Sequence, residues 1–363
     1  MRLSNLVALS LLGVSSAAPA HHHEHVEKRD AVTTTVQTQV TITMGTGAQT
    51  GLLQEDAVVG TTAAAAAAIA AAATPAAATT KGSTTILDGS SSSSSSSSGS
   101  VPSSAVSSGN AKGITYSPYA SDGTCKSASD VASDLAKLTD YGIIRLYGVD
   151  CSQVENVMKA KSASQKLFLG IYYVDQIADG VSTIKAAVEA NGSWDDIYTV
   201  SVGNELVNGG EATTAQVGGY IDSARSALTA AGYSGPVVSV DTFIAVINNP
   251  DLCNYSDYMA INAHAYFDEN TTAENAGPWV LEQIQRVWTA CGGAKEVLVT
   301  ESGWPSQGNT YGVAVPSQAN QEAAISSIEE TCGSATILFT AFNDYWKADG
   351  AYGVEKYFGI LSN

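Results

Sequence analysis

From Lys112 onward, apolar runs rich in β-branched residues recur roughly every thirty residues, at 113–116, 143–147, 166–172, 197–203, 237–241, 258–264, 296–300 and 337–342. Between most of them the apolar spacing changes to a helical period. Val131, Leu135 and Leu138 follow a polar capping cluster at 127–130, and Val280, Ile284 and Val287 follow Pro278. Strands that alternate with amphipathic helices predict a parallel sheet with crossover connections. Eight such units predict an α/β chain closed into a (β/α)8 TIM barrel. The unit after the fifth run is the weakest, because the connection around 249–251 is too short for a full helix.

The barrel pattern starts abruptly. All 27 aromatic residues lie at or after Tyr116, so residues 1–111 contain no aromatic side chain with which to build a core. Residues 112–363 number 252, close to the roughly 250 of one such barrel. Residues 1–20 read as a signal peptide, with Arg2, an apolar stretch at 6–14 and small residues at Ala17, Ala18 and Ala20. A His-rich stretch at 21–29 ends in Lys28-Arg29 and reads as a propeptide trimmed at a dibasic site. Residues 30–111 turn Thr/Val-rich, then Ala-rich, then Ser-rich, with no periodic apolar pattern. Such a segment cannot offset its ordering entropy, so a disordered, O-glycosylated stalk is expected. The Ala63 to Ala73 stretch is too short and too weakly apolar to span a bilayer, and residues 357–363 offer no hydrophobic tail for a lipid anchor. The reading is a secreted, extracellular protein rather than a membrane protein.

Charge and cysteines narrow the chemistry. Residues 112–363 carry 13 Lys and Arg against 29 Asp and Glu, a net charge of −16 that makes nucleic acid and anionic membranes poor partners and favours a neutral ligand. Five cysteines, Cys125, Cys151, Cys253, Cys291 and Cys332, leave one unpaired if two disulfides form. Sequence does not fix the pairing. Cys125 with Cys151 and Cys253 with Cys291 is the expectation, since each pair would tie neighbouring strand-helix units in an oxidising compartment. No close Cys-x-x-Cys spacing marks a zinc site, so neither metal nor another cofactor is expected. Sequons at Asn191, Asn254 and Asn270 are glycosylation candidates, and nothing points beyond a monomer.

Only one histidine, His264, lies beyond residue 111, which removes multi-histidine metal centres, and no nucleophile elbow or phosphate loop is present. Carboxylate chemistry remains. Glu205 and Glu301 each end a β-branched run, 96 residues apart, which separates them by about three strand-helix units. Side chains at the carboxyl ends of barrel strands point into the mouth, and two carboxyls there are the minimum for cleaving a glycosidic bond. Tyr116, Tyr147, Tyr172, Tyr266, Trp304 and Trp346 all fall at or just past predicted strand ends, where flat rings could stack on sugars. His264 reads as a structural residue of the sixth strand.

Gly203-Asn204-Glu205 and Thr300-Glu301-Ser302-Gly303-Trp304-Pro305 resemble the two signature segments of glycoside hydrolase family 17, the β-1,3-glucanase family. The resemblance extends over 112–363, taking in Gly113-Ile114-Thr115-Tyr116, Ile144-Arg145-Leu146-Tyr147 and residues 262–267, 342–347 and 355–359. With the leader, dibasic site and stalk, it is closest in kind to the fungal cell-wall branch, and only this resemblance implies a place in the cell wall. It implies that Glu205 is the acid/base and Glu301 the nucleophile of a retaining reaction through a covalent glucosyl intermediate. Arg145 is then the cation that keeps Glu301 ionised, and Asn204 the partner of the sugar 2-hydroxyl. Asp344 and Lys347 match a Glu and Lys pair of plant members; the shortening to aspartate is a departure that leaves plant-type hydrolysis unsupported. The expected substrate is β-glucan. Hydrolysis and transglycosylation share the intermediate and both remain open, as does a non-catalytic glucan-binding or adhesive mannoprotein.

Overall fold

The computed structural model describes residues 106–362, so the signal, propeptide and almost all of the stalk expectations lie outside the described residues. The strands are β1 (Gly113–Thr115), β2 (Ile143–Arg145), β3 (Lys166–Ile171), β4 (Ile197–Val202), β5 (Val237–Val238), β6 (Val240–Thr242), β7 (Met259–Asn262), β8 (Val297–Ser302) and β9 (Thr336–Leu338). All pairs are parallel, in the order β5-β4-β3-β2-β1-β9-β8-β7-β6.

The ninth strand is a correction to the expected eight. The fifth run breaks at Ser239, whose N–H leaves the ladder and donates to Ser256 Oγ at 2.8 Å. Before the break β5 pairs with β4, and after it β6 pairs with β7. One bent strand therefore closes the barrel through its own backbone.

Helices α1 (Ala128–Leu135), α2 (Gln153–Ala160), α3 (Ile177–Asn191), α4 (Thr214–Ala230), α5 (Phe243–Asn248), α6 (Ala276–Ala290) and α7 (Gln318–Cys332) pack outside the strands. Ser127 and Asp130 form a reciprocal capping box at the start of α1, an arrangement worth about 1 kcal/mol. The short connection after the fifth run holds only the six-residue α5 and a 3-10 turn at Pro250–Asn254. No α-helix follows β9 among the described residues; the chain returns in turns, with Ile360 and Leu361 donating to Thr340 and Ala341.

Two apolar layers result. Ile143, Phe168, Val238, Val240, Ala260, Leu298 and Ile337 fill the barrel interior, while the larger cluster lies between strands and helices. Side chains alternate along a strand. Ile143 faces inward, so Arg145, two residues on, must also face inward, and it does so at the mouth. Disulfides join Cys125 to Cys151 and Cys253 to Cys291, and Cys332 is free and buried. No described helix is long and apolar enough to cross a membrane. Asn254 and Asn270 are exposed; Asn191 is half-buried and donates to Ala187 O at 2.8 Å.

Candidate active site

Strict alternation along β8 would turn Glu301 away from the mouth, because Leu298 faces the interior and Glu301 is three residues further. A register shift corrects this. Ile261 pairs with Val299, but the next pair is Asn262 with Glu301, so Thr300 is the extra residue. Such a bulge re-aims the following side chain. Thr300 spends its hydroxyl on Ile261 O and Asn262 Oδ1, at 3.1 and 2.9 Å.

Glu301, 7% exposed, lies within its strand rather than just past it. Oε1 accepts from Arg145 Nη1 at 2.8 Å and Tyr147 Oη at 2.9 Å, and Oε2 lies 3.2 Å from His264 Nε2. Burial by itself pushes the carboxyl pKa up. The Arg145 charge, the His264 contact and the Tyr147 hydroxyl outweigh it and hold the pKa at about 2. Glu301 is therefore an anion throughout the ordinary pH range. The Tyr147 phenol is pushed well above its usual pKa, by burial first and by the Glu301 charge second, and stays a donor.

Arg145 is 1% exposed and connects the site. Its second nitrogen donates to Asn204 Oδ1 at 3.0 Å, its first also to Thr300 O at 2.8 Å, and its Cζ lies 4.4 Å from the centre of the Tyr147 ring. Asn262 links the two glutamates. Its Nδ2 donates to Glu205 Oε1 at 2.8 Å, while its Oδ1 lies 3.4 Å from the same Arg145 nitrogen that holds Glu301.

Glu205 follows β4 through a sharp turn. Gly203 has φ +72°, and Glu205 itself has φ +55°, the left-handed region that non-glycine residues seldom enter. Its side chain is half-buried, and Asn208 Nδ2 reaches Oε2 at 3.4 Å. The two carboxyls thus sit in unlike surroundings, Glu301 against a guanidinium and Glu205 against carboxamides.

Three of the aromatic expectations are corrected. Tyr116, Tyr266 and Trp304 are all fully buried. Thr115 pairs with Arg145, so the alternation that turns Thr115 inward turns Tyr116 outward, where its hydroxyl donates to Asp134 of α1 at 2.9 Å. Tyr266 and Trp304 pack edge to face, 5.7 Å between centroids, beneath the 305–317 loop; they donate to Asn309 O and Val315 O. Tyr172 is half-buried, two residues past the inward Gly170. Trp346, also half-buried, packs on Tyr119 at 4.9 Å and donates to Asp344 Oδ1 at 3.1 Å. Asp344 is buried and pairs with Lys347 at 3.0 Å. Burial alone would lower the Lys347 pKa, but the charges of Asp344, Glu355 and Glu301 outweigh it and the net shift is upward.

The purely structural reading of His264 is also corrected, since the ring lies against Glu301, ringed by Phe267, Phe339 and Phe358. Asn262 was missed, although as the inward residue at the end of a strand it had a readable position. Asp241 was missed too: it pairs with the outward Ile261, and its partners are backbone N–H groups of the 205–208 turn that leave no mark on the sequence. Among the described residues no group of three or more His, Cys, Asp or Glu side chains could hold a metal ion.

A (β/α)8 barrel whose mouth joins two carboxyls through one guanidinium and one carboxamide has the equipment of a glycoside hydrolase. Comparison with known proteins gives the particular family. The model of the BtgE/BtgC glycoside hydrolase domain matches residues 113–359, and the chain belongs to that family, within glycoside hydrolase family 17. It is 62% identical to the probable family 17 glucosidase SCW10 of Saccharomyces cerevisiae, over the full length of both chains. It is 66% identical over 264 residues to the cell surface mannoprotein MP65 of Candida albicans, covering 73% of this chain and 70% of the relative. The fold is similar to that of a β-1,3-glucanosyltransferase from Rhizomucor miehei, solved as an active-site mutant with laminaritriose. That match has a TM-score of 0.59 and 22% identity, and covers 70% of this chain and 93% of the other.

Proposed function

We propose that this chain is a secreted, retaining β-1,3-glucan hydrolase of the cell wall. The observation that carries the reading is the buried contact of Arg145 with the Glu301 carboxyl at 2.8 Å, which with His264 and Tyr147 holds its pKa at about 2. A carboxyl that is to act as the nucleophile must be ionised when substrate arrives.

Glu301 attacks the anomeric carbon. The bond to the leaving oxygen breaks as Glu205 gives that oxygen its proton, and a glucosyl ester forms on Glu301. Glu205, now a carboxylate, takes a proton from an incoming water, whose oxygen displaces Glu301 and restores the β configuration. Asn204, held by Arg145, has its carboxamide directed to the 2-hydroxyl of the sugar in the occupied subsite. A glucan hydroxyl in place of water gives transfer through the same intermediate. Relatives named as a probable family 17 glucosidase and as a cell surface mannoprotein support a glucoside substrate and a location at the cell surface.

The test is incubation with a laminari-oligosaccharide of defined length, with products sized by chromatography and the newly formed reducing end read by NMR before mutarotation. Shorter products appearing first as the β anomer are expected. First-formed α anomer refutes retention, products longer than the starting chain assign transfer, and no change to any β-glucan identifies a binding protein.

A further inference from the structure

Strand β6 carries a third carboxylate at its middle residue, which the two-carboxyl scheme leaves without a role. Asp241 is 4% exposed. Its Oδ2 accepts from the backbone N–H of Val207 at 2.8 Å, and its Oδ1 from those of Asn208 at 3.2 Å and Thr242 at 2.9 Å. Val207 and Asn208 belong to the turn that carries Glu205. The same turn is tied to β6 a second time, because Glu205 N–H donates to Val240 O at 2.8 Å. A third tie runs through side chains: Thr242 Oγ1 donates to Asn208 Oδ1 at 3.1 Å, and Asn208 Nδ2 reaches Glu205 Oε2 at 3.4 Å.

This turn needs outside restraint. A non-glycine residue at φ +55° persists only where its surroundings over-determine it. A buried carboxylate is an expensive way to supply that restraint. Burial drives the Asp241 pKa up to about 6; the backbone donors oppose it, and the nearby charge of Glu205 adds to it. A neutral acceptor would hold a loop at lower cost, so the use of an acid here calls for an explanation in the site.

We propose that Asp241 is a positioning residue for proton transfer, clamping the 205–208 turn directly and through Asn208 so that the Glu205 carboxyl stays aimed at the glycosidic oxygen. This rests on the reading of Glu205 as acid/base. Asp241 touches no substrate and acts only through the turn.

The test uses Asp241→Asn in the full-length protein. An asparagine oxygen keeps the contacts to Asn208 and Thr242, but its NH2 meets the Val207 N–H donor to donor, and the turn shifts. Two substrates separate the possibilities. A laminari-oligosaccharide has a leaving group that must be protonated; 2,4-dinitrophenyl β-laminaribioside releases a phenolate that needs no proton. The expected result is a fall in kcat on the oligosaccharide of about ten- to a hundredfold, inside the range of general acid catalysis, with KM little changed. The pre-steady-state dinitrophenolate burst stays within about twofold of wild type, since acid assistance contributes nothing to that step. Asn208→Ala, which keeps Asp241 buried and bonded to the backbone, should give the same pattern at smaller size, and it serves if Asp241→Asn does not fold. Equal losses on both substrates, or no loss on either, would overturn the proposal. Glu205→Ala is run in parallel: if it cleaves the oligosaccharide at the wild-type rate, the acid/base reading fails and not merely the role of Asp241.

Discussion

Replacing Arg145 with methionine should move the acid limb of the pH–rate profile by a large and calculable amount. The methionine keeps most of the buried stem and removes only the guanidinium, which bonds Glu301, Thr300 O and Asn204. Glu301 has an ordinary pKa of 4.5 and is held at about 2 although burial pushes the other way. A full return to 4.5 would correspond to on the order of 3 kcal/mol of preferential interaction with the anion; His264 and Tyr147 still favour the anion in the variant, so this is the upper bound of what Arg145 supplies against burial. The nucleophile must be ionised, so activity falls as pH drops through its pKa. In wild type that pKa places the fall far below pH 4; in Arg145→Met it should move up, towards pH 4.5. The assay is kcat/KM on a laminari-oligosaccharide from pH 3 to 7. Breaking a buried ion pair costs about 3 to 5 kcal/mol of stability, so melting curves accompany the kinetics. Arg145→Lys keeps the charge but cannot reach Glu301 and Asn204 together, and should lose rate with a smaller displacement of the limb. A folded Arg145→Met protein with its acid limb in the wild-type place would refute the claim that this cation keeps Glu301 charged.

Three further outcomes follow from the same geometry. Glu301→Ala should be inactive on glucan, and azide with an activated aryl β-glucoside should restore turnover and give the α-glucosyl azide; the β anomer, read by NMR, would contradict attack from the Glu301 side. The folded pKa of Asp241, about 6, lies above its ordinary 3.8, so its contribution to stability is present at low pH and lost as pH rises through that window. The stability deficit of Asp241→Asn relative to wild type should therefore shrink between pH 4 and pH 7, by on the order of 3 kcal/mol at most, and a deficit constant across denaturant melts at those pH values would count against the shift. Tyr116→Phe should cost about 1 kcal/mol of stability, from the lost bond to Asp134, and leave kcat/KM unchanged, whereas Tyr147→Phe removes a donor from Glu301 and should lower kcat. A loss of kcat/KM in Tyr116→Phe would put that ring at the substrate after all.

The contrast between those two tyrosines shows what the sequence made legible and what it withheld. The strand-helix alternation was readable because each run is short, β-branched and bounded by turn residues, and the two glutamates were readable because each ends such a run. Which face a strand-end side chain takes was harder to read. Strands of a barrel are covered on both sides, so their apolar runs are nearly continuous and carry no visible alternation. An internal reference was nevertheless present. Once Arg145 is taken as the inward cation, counting by twos puts Tyr147 in the mouth, and the pairing of Thr115 with Arg145 sends Tyr116 to the helices. The bulge at Thr300 defeats the same count, since β8 is buried from end to end and the extra residue hides its hydroxyl on the neighbouring strand, so no exposed position marks it. The break at Ser239 is hidden in the same way, because its partner Ser256 lies 17 residues further on. Tyr266 and Trp304 were misjudged because what covers them, Asn309 O and Val315 O, comes from a loop whose path no local pattern records. His264 was misjudged by counting histidines rather than placing them. A lone imidazole forms no metal centre, yet two residues past the inward Asn262 it stands where a carboxylate turned inward by the bulge meets it. Residue types and strand ends therefore delimit the candidate chemistry, while the direction of each side chain depends on register, which is fixed by pairing between distant segments.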